Sequence, residues 1–303
     1  MTEQKFKFKH LPKLTAKTFK AWMASDPWRM SAVVAYYAVL SLPGLLVVII
    51  NVIGGIWGAE LIRGGLINEI KSALGADAAQ TIVAIVEDTQ DQKKSIWSTV
   101  IGSATLIYGS TGVFYQLQIS LNKLWRVEST KKHFKNQIWE LITDRARSFA
   151  FILVIGFLLL ISFALTAVLS ATTDYLGTLF PDLVVYLAYG LDGILSSAII
   201  FLLFGLMFRY MPDRKIEWKN VWIGAFFTAV LFVLGQFLLG LYFGKSDPGS
   251  TYGAAGGLVL VLLWASYASL IFFFGAQFTK VYADTYGLKE NENESLLKIN
   301  VVE

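Results

Sequence analysis

The sequence predicts an all-α, polytopic membrane protein with six transmembrane helices and both termini in the cytoplasm. Three observations predict this class. Of the 303 residues, 55% are apolar and 16% are charged, whereas a soluble domain has about 25% charged residues. Six apolar intervals are long enough to cross a bilayer, since a spanning helix needs about 20 residues. The basic residues collect in alternate connections between these intervals, as the positive-inside rule describes.

The spans are expected at about 30–56, 96–121, 148–172, 184–208, 220–243 and 255–279, which together make one membrane domain over 30–279. The apolar runs are continuous, whereas the strands of a membrane barrel alternate with a period of two residues. An N-in/C-in arrangement leaves 21 of the 26 basic residues on the cytoplasmic side. These lie in the segments 1–29, 123–147, 209–219 and 280–303. The division of charge therefore sets the orientation.

Residues 1–29 form a basic arm in which lysines interleave with Phe, Leu and Trp. This pattern suits an amphipathic element lying on an anionic leaflet. Lysines beside a first span also serve as a topology signal, so both interpretations stay open. Membrane lipids are the expected partners of the arm. Nucleic acid is not expected, because the basic residues follow the membrane boundaries.

Two connections have helical patterns of their own. The outer loop 60–94 is expected to form two short amphipathic helices that cap the bundle, with a break at Gly75–Asp77. The cytoplasmic loop 123–147 is expected to carry a short amphipathic helix along the inner surface. The tail 280–303 is expected to be cytoplasmic, and its charged part after Tyr286 is expected to be mobile.

Polar and glycine residues inside the spans are the candidates for a cavity or substrate site, because an unpartnered polar group in lipid costs free energy. Span one has a proline that frees a backbone carbonyl, and span two has two amides that share a helix face. The candidates are Tyr36, Tyr37, Ser41, Pro43, Tyr108, Gln118, Asn122, Asp192, Tyr252, Gly253, Gly257, Trp264 and Gln277.

Two of these features have competing interpretations. Asp192 lies deep in the membrane if its helix begins near Leu183, and close to the outer interface if the helix begins near Leu191. The first placement favours a functional carboxyl that faces a cavity, and the second an interfacial or hydrogen-bonded one. The glycines at 248–257 indicate either close helix packing or a re-entrant entry to span six that lines a cavity.

The sequence contains no pattern of residues that predicts an enzyme. There is no cysteine, and the two histidines, His10 and His133, lack the spacing of metal ligands. Walker A, dinucleotide-binding and GxSxG patterns are absent. No catalytic residue, metal or cofactor is therefore expected.

Four motifs at the polar positions resemble the YihY/virulence factor BrkB family. They are AYYAVLSLPG (35–44), QLQISLNKLW (116–125), YGAAGGLVLVLLW (252–264) and GAQFTKVYA (275–283). The resemblance implies a six-helix inner-membrane protein, for which the older ribonuclease label is a misassignment. The family pattern in span one is S-L-x-P, and Pro43 stands one residue earlier. Span six usually has G-A-E, and Gln277 replaces that acid, so no proton or ion role carries over to it.

The function favoured by the sequence is a non-ATP-driven transporter or flippase-like protein of the bacterial inner membrane, acting on a lipid or a small solute. The polar and glycine content of spans one, two and six motivates this hypothesis. The alternative is a structural or scaffolding membrane protein that docks a partner through the outer cap or the basic cytoplasmic loop. A ribonuclease is rejected.

Overall fold

The computed structural model describes five main stretches of the chain, 8–41, 96–127, 181–214, 216–246 and 255–286, and separate positions between them. These positions are 63–65, 67–68, 71, 79–80, 83–84, 143, 146, 150–151, 153–158, 161 and 252. Regular structure in the described residues is helical. Most of the outer loop 60–94, the cytoplasmic loop 123–147 and span 148–172 lies outside them, as does the tail after Tyr286.

Six helices carry the described fold. They are α1 (Leu11–Met23), α2 (27–41), α3 (Ile96–Trp125), α4 (Pro181–Tyr210), α5 (Trp218–Ser246) and α6 (Gly256–Tyr286), with one 3-10 turn at Phe8–His10 before α1. Helix α6 continues past the predicted end of its span at 279. The first charge after the span does not stop the helix, because lysine is a good helix former.

Three of the described helices are long and apolar enough to cross a membrane: Gly193–Tyr210, Trp218–Phe243 and Gly256–Tyr286. They overlap the last three predicted spans, although the first begins nine residues later than predicted and the last extends seven residues further. Helix α3 has 30 residues and is therefore about 45 Å long, but it contains many Ser, Thr and Gly residues. The count of six crossings and the N-in/C-in orientation stay predictions.

Helices α5 and α6 pack together through a reciprocal pair of Gly-x-x-x-Thr sequences. A Cβ atom at Gly224 would lie 2.7 Å from the Cβ of Thr279, and one at Gly275 would lie 2.7 Å from the Cβ of Thr228. Each threonine donates its hydroxyl hydrogen bond to the glycine carbonyl four residues earlier in its own helix, at 2.6 and 2.8 Å. Small residues thus let the two backbones approach closely.

Aromatic side chains join α4 to its neighbours near the α4–α5 connection. Trp222 of α5 lies against Phe201 of α4, with ring centroids 5.0 Å apart. Phe208 of α4 meets Phe272 of α6 at 5.3 Å. Phe208 and Phe273 are fully buried, so the core sits where α3, α4, α5 and α6 converge.

Helix α1 docks on the C-terminal part of α6 with one face. Leu14, Thr18 and Trp22 are buried and follow a spacing of four residues, which places them on one side of the helix. Trp22 meets Phe274 of α6 edge to face at 5.5 Å. The predicted amphipathic arm therefore contains a helix that packs against the membrane domain.

Long-range polar contacts bring the described parts of the basic segments to one end of the bundle, named here the basic end. These contacts are Lys17–Thr285, His10–Tyr286, Asn122–Asp213 and Lys280–Leu124. They connect α1, the C-terminus of α3, the α4–α5 connection and the C-terminal part of α6. The predicted topology requires these four segments to share one side of the membrane.

Candidate functional site: a polar tie at the basic end

Two amide side chains of α3 hold a carboxylate of the α4–α5 connection. Asn122 Nδ2 donates a hydrogen bond to Asp213 Oδ2 at 2.6 Å, and Gln118 Nε2 donates one to Asp213 Oδ1 at 3.4 Å. The backbone N–H of Asp213 donates to Asn122 Oδ1 at 2.9 Å. We call this arrangement of three residues the polar tie. Hydrogen bonds to an ionised group are about twice as strong as neutral ones.

The polar tie extends into the interior of the bundle through α3. Gln118 is 3% exposed, and Thr111, two turns earlier on the same face of α3, is also buried. Asn122 and Asp213 are more open to solvent. The tie therefore runs from a buried amide to an accessible carboxylate, and it links two elements that are 91 residues apart in the chain.

The end of α3 is closed by a backbone motif and by a lysine of α6. Val127 N–H donates to Asn122 O at 2.9 Å, and Arg126 N–H to Lys123 O at 3.2 Å, which is the Schellman pattern. Arg126 has a φ of 53°, in the region that favours glycine. Lys280 Nζ donates to Leu124 O at 2.8 Å and so satisfies one of the last carbonyls of α3.

A second interaction fixes the α4–α5 connection itself. Arg209, in the last turn of α4, donates to the carbonyl of Ile216. Its guanidinium also lies over the ring of Trp218, 5.6 Å from the ring centroid, in cation–π geometry. The α4–α5 connection is therefore fixed by two sets of contacts, those of Asp213 with α3 and those of Arg209 with Ile216 and Trp218.

The two ends of the α4–α5 hairpin differ in burial. Near the connection, Phe204, Phe208, Val221 and Ala225 are buried. At the opposite end, exposed residues occupy most sides of both helices: Gly193, Ile194, Ser196 and Ala198 of α4, and Gln236, Phe237, Leu238, Gly240, Leu241 and Tyr242 of α5. The hairpin is thus packed at the basic end and largely uncovered by described residues at the other.

The structure brings two of the sequence candidates, Gln118 and Asn122, to one carboxylate, and the other described candidates differ in burial. Tyr36 and Tyr252 are exposed, Tyr37 and Trp264 are half-buried, and Ser41, Gly257 and Gln277 are buried. Tyr37 packs against α3, where a Cβ at Gly112 would lie 3.1 Å from its ring. Pro43 and Gly253 lie outside the described residues, as does most of the 248–257 segment. Only the backbone is described at Tyr108 and Asp192.

The helix that contains Asp192 begins at Pro181, so a start near Leu191 is excluded. Its most apolar stretch nevertheless begins at Gly193, directly after Asp192. The side chain of Asp192 lies outside the described part of the structure, and its role stays a prediction.

Sequence reasoning missed Asp213 and Lys280. Asp213 lies in a short polar connection, and Lys280 directly follows an apolar run, where charges are expected on topological grounds. No spacing in the sequence signals that either one would contact α3. The described residues include no cluster of three or more His, Asp or Glu side chains that could hold a metal. His10 accepts or donates a hydrogen bond with the Tyr286 hydroxyl at 3.1 Å, so it connects α1 to α6.

Comparison with known proteins gives matches over most of the chain. The family model for the virulence factor BrkB matches residues 18–296. A UPF0761 membrane protein of Alteromonas mediterranea is 22% identical over 265 residues, which cover 86% of this chain and 84% of that protein. One from Psychrobacter sp. is 23% identical and covers 80% of this chain. A third, from Verminephrobacter eiseniae, is 27% identical over 63% of this chain.

The chain spans about 43% of the length of the Verminephrobacter and Psychrobacter relatives. No solved structure matches it.

Proposed function

Because the chain belongs to the virulence factor BrkB family, whose relatives are membrane proteins, we propose that it is a transporter or flippase-like protein. It would be a multi-pass protein of the bacterial inner membrane that moves a lipid or a small solute without ATP hydrolysis. The proposed process is a conformational change, and it needs no catalytic residue, metal or cofactor.

The observation that carries the proposal is the difference between the two ends of the α4–α5 hairpin. Alternating access requires a bundle that is closed on one side of the membrane and accessible on the other. The hairpin is packed among α3 and α6 at the basic end and exposed on most sides at the opposite end. This arrangement supports a conformation closed at the basic end.

We propose that the polar tie holds the basic end in its closed conformation. Its hydrogen bonds join α3 to the α4–α5 connection through side chains, so they can break while both helices stay intact. Asp213 and Asn122 lie near solvent, and water can replace the bonds that they lose. Opening would expose the buried polar face of α3 that carries Gln118 and Thr111.

The uncovered part of the hairpin favours a lipid over a solute as the substrate. Its exposed side chains are mostly apolar, with Gln236 among them. An apolar surface at membrane depth can contact acyl chains, and a polar group beside it can bind a headgroup. We also infer that the exposed lysines of α1, Lys13, Lys17 and Lys20, contact anionic lipid headgroups.

The proposal is tested by the accessibility of a buried position on α3. The chain has no cysteine, so Thr111→Cys places a single thiol on the Gln118 face of α3, at a site that is 1% exposed. A transporter that opens at the basic end should let a membrane-impermeant maleimide label this thiol slowly. Adding Asp213→Ala, which removes the carboxylate of the polar tie, should increase the labelling rate at least tenfold.

Two control variants and one lipid assay accompany this experiment. Glu217→Gln removes the charge of another exposed carboxylate in the α4–α5 connection and should leave the labelling rate unchanged. Ser269→Cys, buried elsewhere on α6, should stay protected in both backgrounds. Equal protection of Thr111→Cys with and without Asp213 would favour a scaffolding protein. In vesicles with a fluorescent phospholipid, faster exchange between leaflets would identify a lipid substrate, and its absence would favour a solute.

A further inference from the structure

Three cations from three elements converge on the C-terminal end of α3. Lys280 of α6 bonds to the carbonyl of Leu124, two residues before Arg126. Arg214 follows Asp213, which the polar tie holds to Asn122. The ammonium of Lys280 lies within electrostatic range of both guanidiniums. We call Arg126, Arg214 and Lys280 the cation cluster.

Among the residues that the structure describes, the cation cluster has more positive than negative charge around it. None of its three members lies within salt-bridge distance of a carboxylate of the described residues. The ion pair found among those residues joins Arg29 and Asp26. Two carboxylates lie nearby: Asp284 acts on Lys280 from a greater distance, and Asp213, bonded to neutral amides, keeps its charge next to Arg214. The end of α3 adds about half a negative charge, so the three cations face two carboxylates and a partial charge that together do not fully balance them.

Arg126 occupies a position where a glycine would fit better. With a φ of 53°, it takes the left-handed conformation at the end of a Schellman motif, for which glycine is the usual residue. A side chain adds steric cost at such a position. The Arg126 guanidinium is exposed. It adds a positive charge near Arg214 and Lys280, which glycine could not supply.

We propose that the cation cluster binds a phosphate-bearing anion. Guanidinium groups present paired N–H donors that match phosphate oxygens, and a lysine adds a point charge. Arg126 and Arg214 are exposed, whereas Lys280 is half-buried and held by its bond to α3. The anion is either the phosphate of a phospholipid headgroup at the membrane boundary or free phosphate. The site does not depend on the proposed transport activity.

Bound phosphate would connect the same elements as the polar tie, together with α6. It would neutralise the repulsion among the three cations and hold α3, the α4–α5 connection and α6 together. Binding of the anion to this conformation stabilises it by mass action. Phosphate or a phospholipid should therefore raise the melting temperature of the protein.

The test uses the full-length protein in a detergent without phosphate groups. Inorganic phosphate is titrated in one arm, and phosphatidylglycerol in mixed micelles in another, with sodium chloride at matched ionic strength as the reference. The readouts are the melting temperature and lipid retention in native mass spectrometry. Arg126→Gly and Arg214→Gln should each weaken binding at least tenfold, whereas Lys219→Gln, an exposed lysine of the same end, should change it less than twofold.

Arg126→Gly separates binding from folding, because glycine relieves the left-handed backbone. Without ligand it should melt at or above the temperature of the unmodified protein, and it should lose the stabilisation by the anion. Stabilisation by both probes would identify a free-phosphate site, and stabilisation by phosphatidylglycerol alone a headgroup site. The proposal is wrong if neither probe stabilises the protein more than chloride does, or if Lys219→Gln weakens binding as much as the cluster variants.

Discussion

Gly224 and Gly275 show how single residues set the distance between two membrane helices. Each glycine faces a threonine of the other helix at a separation that leaves no room for a Cβ atom. Close approach of backbones is a main source of stability for helices in lipid, where apolar side chains gain little by leaving the surrounding acyl chains. The fit at these positions therefore matters more than their hydrophobicity.

For these single residues we predict that Gly224→Ala and Gly275→Ala destabilise the protein, whereas Gly240→Ala does not. The added methyl groups at 224 and 275 force threonine and backbone apart, and overpacking of this kind costs about 1–3 kcal/mol. Gly240 is the matched control on α5, since no described neighbour lies within 4 Å of the place that a Cβ would take there. Alanine at 240 should be neutral or stabilising by up to about 1 kcal/mol. Thermal unfolding in detergent measures the difference, and equal melting temperatures for all three variants would contradict the packing described for α5 and α6.

Helix α1 divides its surface into three parts. One face, with Leu14, Thr18 and Trp22, packs on α6. The exposed remainder carries Phe19 and Met23 on one side and the three lysines on the other. Lys17 and Phe19 are two residues apart and so point about 160° away from each other around the helix axis. This division is typical of a helix that lies in the membrane interface.

At the scale of the element we predict that α1 lies at the lipid surface with Phe19 towards the acyl chains. Spin labels at Phe19→Cys and Lys17→Cys report the environment of the two sides in vesicles. The label at 19 should collide more with oxygen, which concentrates in lipid, and the label at 17 more with a water-soluble nickel chelate. The contrast should be larger in phosphatidylglycerol than in phosphatidylcholine, because lysines are attracted to anionic headgroups. Two labels with the same, water-like accessibility would place α1 away from the leaflet.

Four basic segments of the chain meet at one end of the molecule. Contacts between α1 and α6, between α3 and the α4–α5 connection, and between α6 and α3 all lie there. An excess of positive charge on one side of a membrane protein indicates that this side faces the cytoplasm. The basic end should therefore be the cytoplasmic end of the bundle.

For the whole molecule we predict that Lys219→Cys and Tyr252→Cys lie on opposite sides of the membrane. Both positions are exposed. In spheroplasts, an impermeant maleimide should label Tyr252→Cys directly and Lys219→Cys only after the membrane is permeabilised. The opposite result would reverse the orientation, and labelling of both residues from outside would require a different number of crossings.

The long helices and the shared face of Gln118 and Asn122 could be predicted from the sequence, because both follow from local periodicity. The carboxylate that these amides bind could not, since Asp213 lies 91 residues away from Asn122 in a connection too short to have a pattern. Lys280 reaches a carbonyl 156 residues away. The pairing of Gly224 and Gly275 with threonines could not be predicted either. It depends on the register between α5 and α6, and the sequence of one helix alone does not determine that register.

The uneven packing of the α4–α5 hairpin has a mechanical consequence. Helix α4 has 30 residues and is therefore a rod about 45 Å long, anchored at one end by the aromatic core and by Arg209. A tilt of only about 10° at that anchor displaces the far tip by roughly 8 Å, given the rise of the helix. If the polar tie opens as proposed, the hairpin would act as a lever, and rearrangement of a few hydrogen bonds at the basic end would produce a large movement at the opposite end.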